Sequence, residues 1–278
     1  MSDNSFEENL NSFTHWREQL VQAIEMYHAW RAQYGLSDIS GTNSLQSVMQ
    51  GLMTDRITLA FVAEFSRGKT ELINALFFSE TGVRLLPSSP GRTTMCPTEL
   101  FYDADGGSYI RLLDIDSRLE DLSFDALKEQ QDRWVNIDLD CESPAQMQAA
   151  FKELLAIRHV SKDEAIKLGL FNQEEYEKYP SDNPDGYEIP RWRHALISFP
   201  HPLFRNGLTI LDTPGLNALG SEPELTLSML PSAQAIVFVI AADTGVTKSD
   251  MGIWCDHIAK TSKQGRSVVL NKIDTLWD

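Results

Sequence analysis

The stretch AEFSRGKT, from Ala63 to Thr70, decides the fold that we predict for this chain. Seven of its eight positions fit the pattern G-x-x-x-x-G-K followed by Ser or Thr. It follows an apolar run, Ile57 to Val62, that predicts a buried strand, and it opens a predicted helix, Lys69 to Phe77. A loop that joins a strand to a helix in this way binds phosphates through its consecutive backbone N–H groups and the N-terminus of the helix. The stretch therefore predicts a phosphate-binding loop.

Three residues of this loop have predicted roles. Lys69 would reach the β and γ phosphates, Thr70 would offer its hydroxyl to Mg2+, and Gly68 would let the backbone approach the ligand closely. Ala63 stands where the pattern has its first glycine, and a Cβ there is expected to add about 1 kcal/mol of strain. A chance strand–turn–helix match is the alternative explanation for the whole stretch.

Two further motifs follow predicted strands. DTPG, Asp212 to Gly215, comes after Leu208 to Leu211; its carboxylate can hold Mg2+ through water, and the N–H of Gly215 can meet the γ-phosphate. NKID, Asn271 to Asp274, comes after the last predicted strand. Its aspartate can accept both the ring N–H and the exocyclic amine of guanine, and its asparagine can donate to the guanine oxygen. A Pro-Gly turn and a solvated strand end are the alternatives.

A fourth segment, Gly91 to Leu100, carries paired threonines in a loop before a strand. We expect Thr94 to bring a hydroxyl to Mg2+ and a carbonyl to the attacking water, with Thr93 and Thr98 as the alternatives. Because an open sheet binds its ligand at the carboxyl ends of its strands, the motifs together predict one nucleotide site.

The remaining pattern predicts an α/β fold with a mainly parallel central sheet flanked by helices, since short apolar runs alternate with amphipathic stretches. His194 to Phe199 is a further predicted strand, which should turn back antiparallel to Leu208 to Leu211. The other predicted elements are two strands, Ala235 to Ala241 and Ser267 to Leu270, and a helix, Asp250 to Lys260.

Residues 1–55 are predicted to form a helical segment apart from the domain at 56–278. Large apolar side chains recur every three or four residues from Phe6 to Tyr34, which predicts one helical stripe. Gly35 to Asn43 breaks the pattern before a second helical stretch, Leu45 to Thr54. The segment is either a hairpin packed on its own domain or part of a helical bundle.

Between about 116 and 190 we predict an acidic, mostly helical insertion. Its helices are expected at Ala145 to His159 and Lys162 to Leu168, followed by a loop from Pro180 to Pro190. The net charge of the chain is −16, and most of it lies in residues 101–190, which contain 21 acidic and 9 basic residues. Such a surface repels nucleic acid and anionic lipid, so no nucleic-acid partner is expected.

The N-terminus, the cysteines and the short apolar runs predict a cytoplasmic location. Three separated cysteines without a C-x-x-C pair indicate a reducing compartment, and the acidic N-terminus lacks the pattern of a signal peptide. The longest apolar run, Ala235 to Ala242, is far shorter than the roughly 20 residues needed to cross a bilayer.

The segments EFSRGKTELINAL, LPSSPGRTTMCPTEL, LTILDTPGLNAL and VVLNKID resemble the dynamin superfamily, in particular its bacterial dynamin-like members. The resemblance covers roughly 56–278. It implies a large GTPase that uses GTP and Mg2+, forms a homodimer through its nucleotide face and remodels membranes, to which the full-length protein would be peripheral. The missing closing helix, stalk and lipid-binding tip imply an N-terminal fragment.

The resemblance also implies roles for individual residues. Ser66 would help to stabilise developing charge, Thr94 would position water, and Lys69 would complete the catalytic set. The predicted metal ligands are Thr70, Thr94 and Asp212. The predicted nucleotide contacts are Glu64, Phe65, Ser66, Arg67, Gly68, Lys69, Thr70, Gly215, Asn271, Lys272 and Asp274.

Three residues depart from the family pattern. Ala63 replaces the leading glycine, and Phe65 replaces a polar residue tied to catalysis, so hydrolysis is expected to be slower or differently organised. Arg67 is either a charge clamp beside the phosphates or a side chain in solvent, of which we favour solvent. Because of Ala63 and Phe65, a nucleotide-gated interaction module with little hydrolysis is the alternative to a GTP hydrolase. A helical scaffold that has lost its nucleotide is a third.

Overall fold

The structure is a computed structural model that describes residues 3–34, 56–87, 96–120, 122, 124–171, 187–214, 230, 233–260 and 265–277. The chain divides into two compact units, Met1–Arg56 and Ile57–Asp278.

The first unit contains one long helix in its described part, α1 (Asp3–Gln33), as the apolar stripe predicts. Aromatic side chains along it are exposed and lie ring against ring, with centroids 6.0 Å apart for Tyr27 and Trp30 and 5.4 Å apart for Trp30 and Tyr34. The second predicted helix, Leu45 to Thr54, lies outside the described residues. Across the described ranges, no helix combines the length and the apolar character that a membrane crossing requires.

The second unit is built on a large mixed sheet. The strands of its described part are β1 (Ile57–Ala63), β2 (Thr98–Phe101), β3 (Tyr109–Asp114), β4 (Trp134–Asp138), β5 (Ile157–Val160), β6 (Tyr187–Pro190), β7 (Trp192–Ser198), β8 (Leu208–Asp212), β9 (Ala235–Ala241) and β10 (Arg266–Asn271). Eight of them form one sheet in the order β10-β9-β1-β8-β2-β7-β3-β4, and β5 pairs with β6 in a separate sheet.

The half of the sheet that carries the predicted motifs is parallel. β1 pairs in parallel with β8 on one side and with β9 on the other, and β10 continues in parallel beyond β9. Continuous apolar runs such as ITLAFVA suit strands that are covered on both faces. The strands predicted at these four positions are confirmed.

Helices cover both faces of this parallel half. The helices of the second unit, in its described part, are α2 (Lys69–Phe77), α3 (Phe124–Glu129), α4 (Pro144–Lys152), α5 (Lys162–Lys167), α6 (Pro202–Arg205) and α7 (Lys248–Ile253), which a π-helical turn, Trp254–Ile258, prolongs. Alternate residues of β1 enter different cores, because side chains alternate along a strand. Phe61 and Ala63 pack in the core that contains Ile73 of α2, whereas Ala60 and Val62 pack in the core that contains Ile253 of α7.

The other half of the sheet is largely antiparallel. β7 runs opposite to β8, as predicted, but the two strands do not pair. β2 lies between them, parallel to β7 and antiparallel to β8. The short helix α6 lies in the connection between β7 and β8, and at its start the His201 side chain accepts from the N–H of Leu203.

The prediction of a mostly helical insertion at about 116–190 is wrong in part. Its helices are present at α4 and α5, but the predicted helix Ala145 to His159 ends early and β5 begins at Ile157. β4 joins the main sheet as an edge strand, and its polar, exposed Asn136 hides the alternation that would predict a strand. The last residues of the expected loop form β6, and 172–186 lie outside the described residues.

An ionic cluster joins β2 to α3 and to β7. Glu99 Oε1 of β2 lies 2.5 Å from Lys128 Nζ of α3 and 3.2 Å from His194 Nε2 of β7. Burial raises the pKa of Glu99, but its hydrogen bond to His194 and the charges of His194 and Lys128 outweigh burial and lower this pKa from 4.5 to about 2. Burial lowers the pKa of His194, which its contact with Glu99 partly opposes. Glu99 is therefore an ionised acceptor with a side chain that is 13% exposed.

We predict that Glu99→Gln destabilises the second unit at pH 7 and that the effect disappears in acid. A carboxyl whose pKa is lowered on folding adds stability above its unfolded pKa near 4.5 and loses it as the pH falls towards 2. The shift corresponds to a loss on the order of 3 kcal/mol at pH 7. Urea unfolding between pH 7 and pH 2 measures it. Glu120→Gln, which removes an exposed pair with Arg133, should change the free energy of unfolding by less than about 1 kcal/mol at any pH.

Candidate functional site

The loop between β1 and α2 contains two residues in the left-handed backbone region. Ser66 has φ +64° and Gly68 has φ +79°. Glycine adopts such angles freely, whereas a serine pays roughly 1–3 kcal/mol and keeps the conformation only where its surroundings impose it. The strain expected at Ala63 is not found there, because Ala63 is the buried last residue of β1 and has no positive φ. The tight part of the turn lies later, at residues 66–68.

A side chain at Gly68 would be strained by its φ and would also displace the side chain of Asn271. A Cβ built on it would lie 2.5 Å from Nδ2 of Asn271. That amide donates to the carbonyl oxygens of Arg67, at 3.0 Å, and Gly68, at 3.3 Å. The end of β10 is thus fastened directly to the loop.

We predict that Gly68→Ala destabilises the second unit more than Gly107→Ala does. Gly107 has a similar φ, +73°, but a Cβ there has nothing within 4 Å, so the control carries the φ strain without the collision. Gly107→Ala should lower the free energy of unfolding by about 1 kcal/mol, and Gly68→Ala by roughly 2–3 kcal/mol. Chemical denaturation measures both. Equal losses would contradict the close approach of Asn271.

Lys69 and Asp212 meet beneath the loop. The Lys69 ammonium contacts Oδ1 of Asp212 at the carboxyl end of β8, and the two side chains are 7% and 0% exposed. Burial lowers the pKa of Lys69 to about 7. Thr213 secures the same strand end, since its hydroxyl donates to the carbonyl of Phe61. Within the described part of the chain, Oδ2 of Asp212 is buried and has no hydrogen-bond partner.

The other predicted contacts of the NKID motif lie at the same edge of the sheet. Lys272 has φ +55°, and its ammonium lies 3.1 Å from Oδ2 of Asp243, just after β9. Asp274 is exposed in the 3-10 turn Ile273–Leu276. The bond from Asn271 to the loop was not part of the prediction, which assigned this side chain to guanine.

The expectation that Arg67 points to solvent is wrong. Its side chain is 6% exposed and pairs with Glu64 and Asp250. The carboxylate of Glu64 contacts both Arg67 and Thr247, so the side chains of Glu64 and Arg67 face the loop after β9. The predicted contacts of their backbone amides with phosphate stay a prediction.

Several predicted residues lie elsewhere or outside the description. Thr94, its alternative Thr93 and Gly215 fall outside the described residues. Thr98 is buried opposite Asp212 in the β2–β8 register, and its hydroxyl donates to the carbonyl of Cys96. Phe65 is 36% exposed on the loop, Ser66 is exposed, and Thr70 is buried in the first turn of α2.

The loop between β9 and α7 was not predicted to belong to the site. Four of its residues contact Glu64, Arg67 or Lys272, namely Asp243, Thr244, Thr247 and Asp250. Thr247 and Asp250 form a capping box at the start of α7, each side chain accepting from the other residue's backbone N–H. The spacing of Thr and Asp three residues apart was the available signal for a helix start, although it says nothing about Arg67.

A parallel sheet with such a loop after β1, and with a lysine and an aspartate meeting below it, defines a P-loop nucleotide-binding domain. A model of the dynamin family matches residues 59–273, which is more than half of the chain. The chain therefore belongs to the dynamin family and carries a GTPase domain of that type, which implies a guanine nucleotide as its ligand.

Individual relatives are distant. A bacterial dynamin-like protein of Nostoc punctiforme is 24% identical over 220 residues, covering 79% of this chain and 24% of that protein. Two solved structures of an oligomerised bacterial dynamin pair, described as a mechanism for long-range sensing and tethering of membranes, have TM-scores of 0.44 and 0.43 at 17% and 16% identity. Each covers 94% of this chain, which spans 36% of theirs. TM-scores this low support no conclusion about the present chain.

Proposed function

We propose that the second unit, Ile57–Asp278, binds GTP with Mg2+ and hydrolyses its β–γ phosphoanhydride bond. The observation that supports this most is the buried contact of Lys69 with Asp212 under a loop that has two left-handed residues. A buried charged pair is costly to keep for stability alone, and perturbed ionisable groups cluster at functional sites.

The loop supplies the phosphate contacts in this proposal. The backbone N–H groups from Glu64 to Lys69 surround the phosphates, and the Lys69 ammonium moves from Asp212 to the β and γ oxygens. Ser66 stabilises the charge that develops on the transferred group, and Thr94 positions the attacking water. Catalysis is then positioning and electrostatics, with water rather than a side chain as the nucleophile.

The residues present fit a magnesium ion. Asp212 has a buried carboxylate oxygen without a partner among the described residues, and Thr70 lies in the first turn of α2 beside Lys69. Carboxylate and hydroxyl oxygens are ligands that Mg2+ takes, usually together with water and phosphate. Thr70, Asp212 and Thr94 would hold the ion, which neutralises charge on the phosphates when bound.

Guanine recognition is assigned to the end of β10. Asp274 accepts from the two N–H donors of the guanine edge, and Gly215 donates to the γ-phosphate. The Lys272 stem is held near the loop by its pair with Asp243. Nδ2 of Asn271 donates to the carbonyl oxygens of Arg67 and Gly68, so the proposed donation to the guanine oxygen requires one of these two bonds to be released.

A nucleotide-gated interaction module is the second candidate function. It is favoured by Phe65, which presents an exposed apolar ring on the loop and cannot orient water. In that case the Thr94 and Asp212 loops rearrange with the γ-phosphate but turnover is slight. Self-association through the nucleotide face, and membrane remodelling by the full-length protein, are carried over from the family as part of the proposal.

We expect Lys69→Ala to weaken GTP binding and, at saturating GTP, to lower single-turnover hydrolysis by about 10²–10³-fold, because the transferred phosphate loses its buried cation. Binding of a fluorescent guanine nucleotide and release of phosphate measure the two effects. Lys260→Ala is the control, since its side chain is 70% exposed and pairs at the surface with Asp256. Wild-type protein that binds GTP but releases no phosphate would favour the interaction module.

We expect the specific rate of GTP hydrolysis to rise with protein concentration, since activation through the nucleotide face requires two copies. The rate per molecule is measured from the lowest detectable concentration upwards, alongside the mass by sedimentation. A flat rate with a constant mass would contradict self-association and leave nucleotide binding unaffected.

A further inference from the structure

The guanidinium of Arg67 is enclosed by oxygen acceptors from distant parts of the chain. Its Nη2 lies 2.5 Å from Oε2 of Glu64 and 3.0 Å from Oδ2 of Asp250, and its Nε lies 3.4 Å from Oδ1 of Asp250. Its Nη1 donates to the hydroxyl of Thr244 at 2.5 Å. We call this set, Arg67 with Glu64, Thr244 and Asp250, the arginine clamp.

The clamp holds the side chain in one place. Asp250 is 0% exposed and takes two bonds from the guanidinium, a planar fork geometry that fixes orientation as well as distance. Two carboxylates beside one buried cation make its release unfavourable, since each partner left behind would be a buried, unpaired charge. The arginine is therefore a fixed part of the loop.

The partners of the clamp are themselves fixed. Asp250 Oδ2 accepts from the backbone N–H of Thr247 at 2.9 Å, and the N–H of Asp250 donates to Thr247 Oγ1 at 3.1 Å. The Thr247 hydroxyl lies 2.8 Å from Asp250 Oδ2 and 3.1 Å from Glu64 Oε2, and its single proton serves one of these two acceptors at a time. The loop is thus fastened through both Glu64 and Arg67 to the first turn of α7.

The main chain of Arg67 is held from the opposite side, because its carbonyl oxygen accepts from Asn271 Nδ2. The two left-handed residues, Ser66 and Gly68, flank this doubly held position. A serine with φ +64° needs surroundings that impose its conformation. The clamp and the end of β10 together supply that constraint.

We propose that Arg67 is a positioning residue, whose buried clamp holds the loop at 64–68 ready for phosphates before a nucleotide binds. The proposal rests on the nucleotide site proposed above. The Arg67 side chain does not touch the phosphates; it acts through the backbone of the loop, next to Ser66 and Gly68. A preformed loop avoids the cost of ordering on binding, and its loss is felt mainly as faster dissociation.

The test compares Arg67→Met, which keeps an apolar stem, with Arg67→Lys. Equilibrium binding and dissociation of a fluorescent GDP are measured, with thermal unfolding in the absence of nucleotide. We expect Arg67→Met to weaken binding by about 10–100-fold, the scale of a misplacement of about 1 Å, and Arg67→Lys to fall between Met and wild type. Asp250→Asn should weaken binding in the same direction, and the double variant Arg67→Met with Asp250→Asn should be less than additive.

Arg158→Met is the matched control. Arg158 also pairs with two carboxylates, lying 2.7 Å from Asp116 and 3.1 Å from Glu164, but it belongs to the insertion and its bonds to described residues involve none of the site. It should keep the dissociation constant within about twofold of wild type. If Arg67→Met binds GDP as Arg158→Met does, the clamp is a stability feature only and the proposal is overturned.

Hydrogen exchange of the nucleotide-free protein separates this proposal from the proposed function. Arg67→Met should accelerate exchange of the amides at 64–68 while those of β3 and β7 keep their rates, and Arg158→Met should not. Wild-type protein that binds no guanine nucleotide would contradict the proposed function. Exchange at 64–68 that is the same in Arg67→Met as in the wild type would contradict the positioning role of the clamp. Should Arg67→Met fail to fold, Arg67→Lys and Asp250→Asn decide by the same two measurements.

Discussion

The parallel pairing of β1 with both β8 and β9 is the constraint on which the site depends. The register sets Phe61 opposite Asp212 on one side and Ala63 opposite Val239 on the other. Residues 60–63 are almost entirely buried, so the strand cannot slip without moving apolar side chains from one core to the other. With β1 fixed, the loop that follows it starts from a set position, and Asp212 and the β9–α7 loop necessarily end beside it.

The charges buried at this edge have different consequences. Lys69 and Asp212 form a pair with one carboxylate oxygen unmatched among the described residues, and burial lowers the pKa of the lysine to about 7. The guanidinium of Arg67, by contrast, is matched by acceptors on several sides. An incompletely matched buried group is typical of a site that awaits a ligand, whereas a matched one is typical of a support.

The sequence predicted the parallel half of the sheet because its strands are uninterrupted apolar runs, and it predicted that Lys69 and Asp212 lie at one site because both motifs follow such strands. It did not predict the direct contact between their side chains. It did not predict β4, whose edge position leaves Asn136 in solvent, or β5, a four-residue strand that reads as the end of a helix. The place of β2 between β7 and β8 was also hidden, since neighbours in a sheet need not be neighbours in the chain.

Arg67 shows why part of a site escapes a motif. The pattern fixes Gly68, Lys69 and Thr70 because the phosphates need those residue types, but it leaves the preceding positions open. What fills them must match the rest of the individual chain: Asp250 lies 183 residues away and is placed by α7 rather than by the loop. A basic side chain next to a predicted phosphate site suggests a ligand contact or a solvated group, and no spacing rule could reveal its carboxylate partners. The missing first glycine also shows that the loop depends on residues outside the motif. Ala63 is accommodated because it still belongs to β1, so the turn begins later and depends on residues that the motif does not specify.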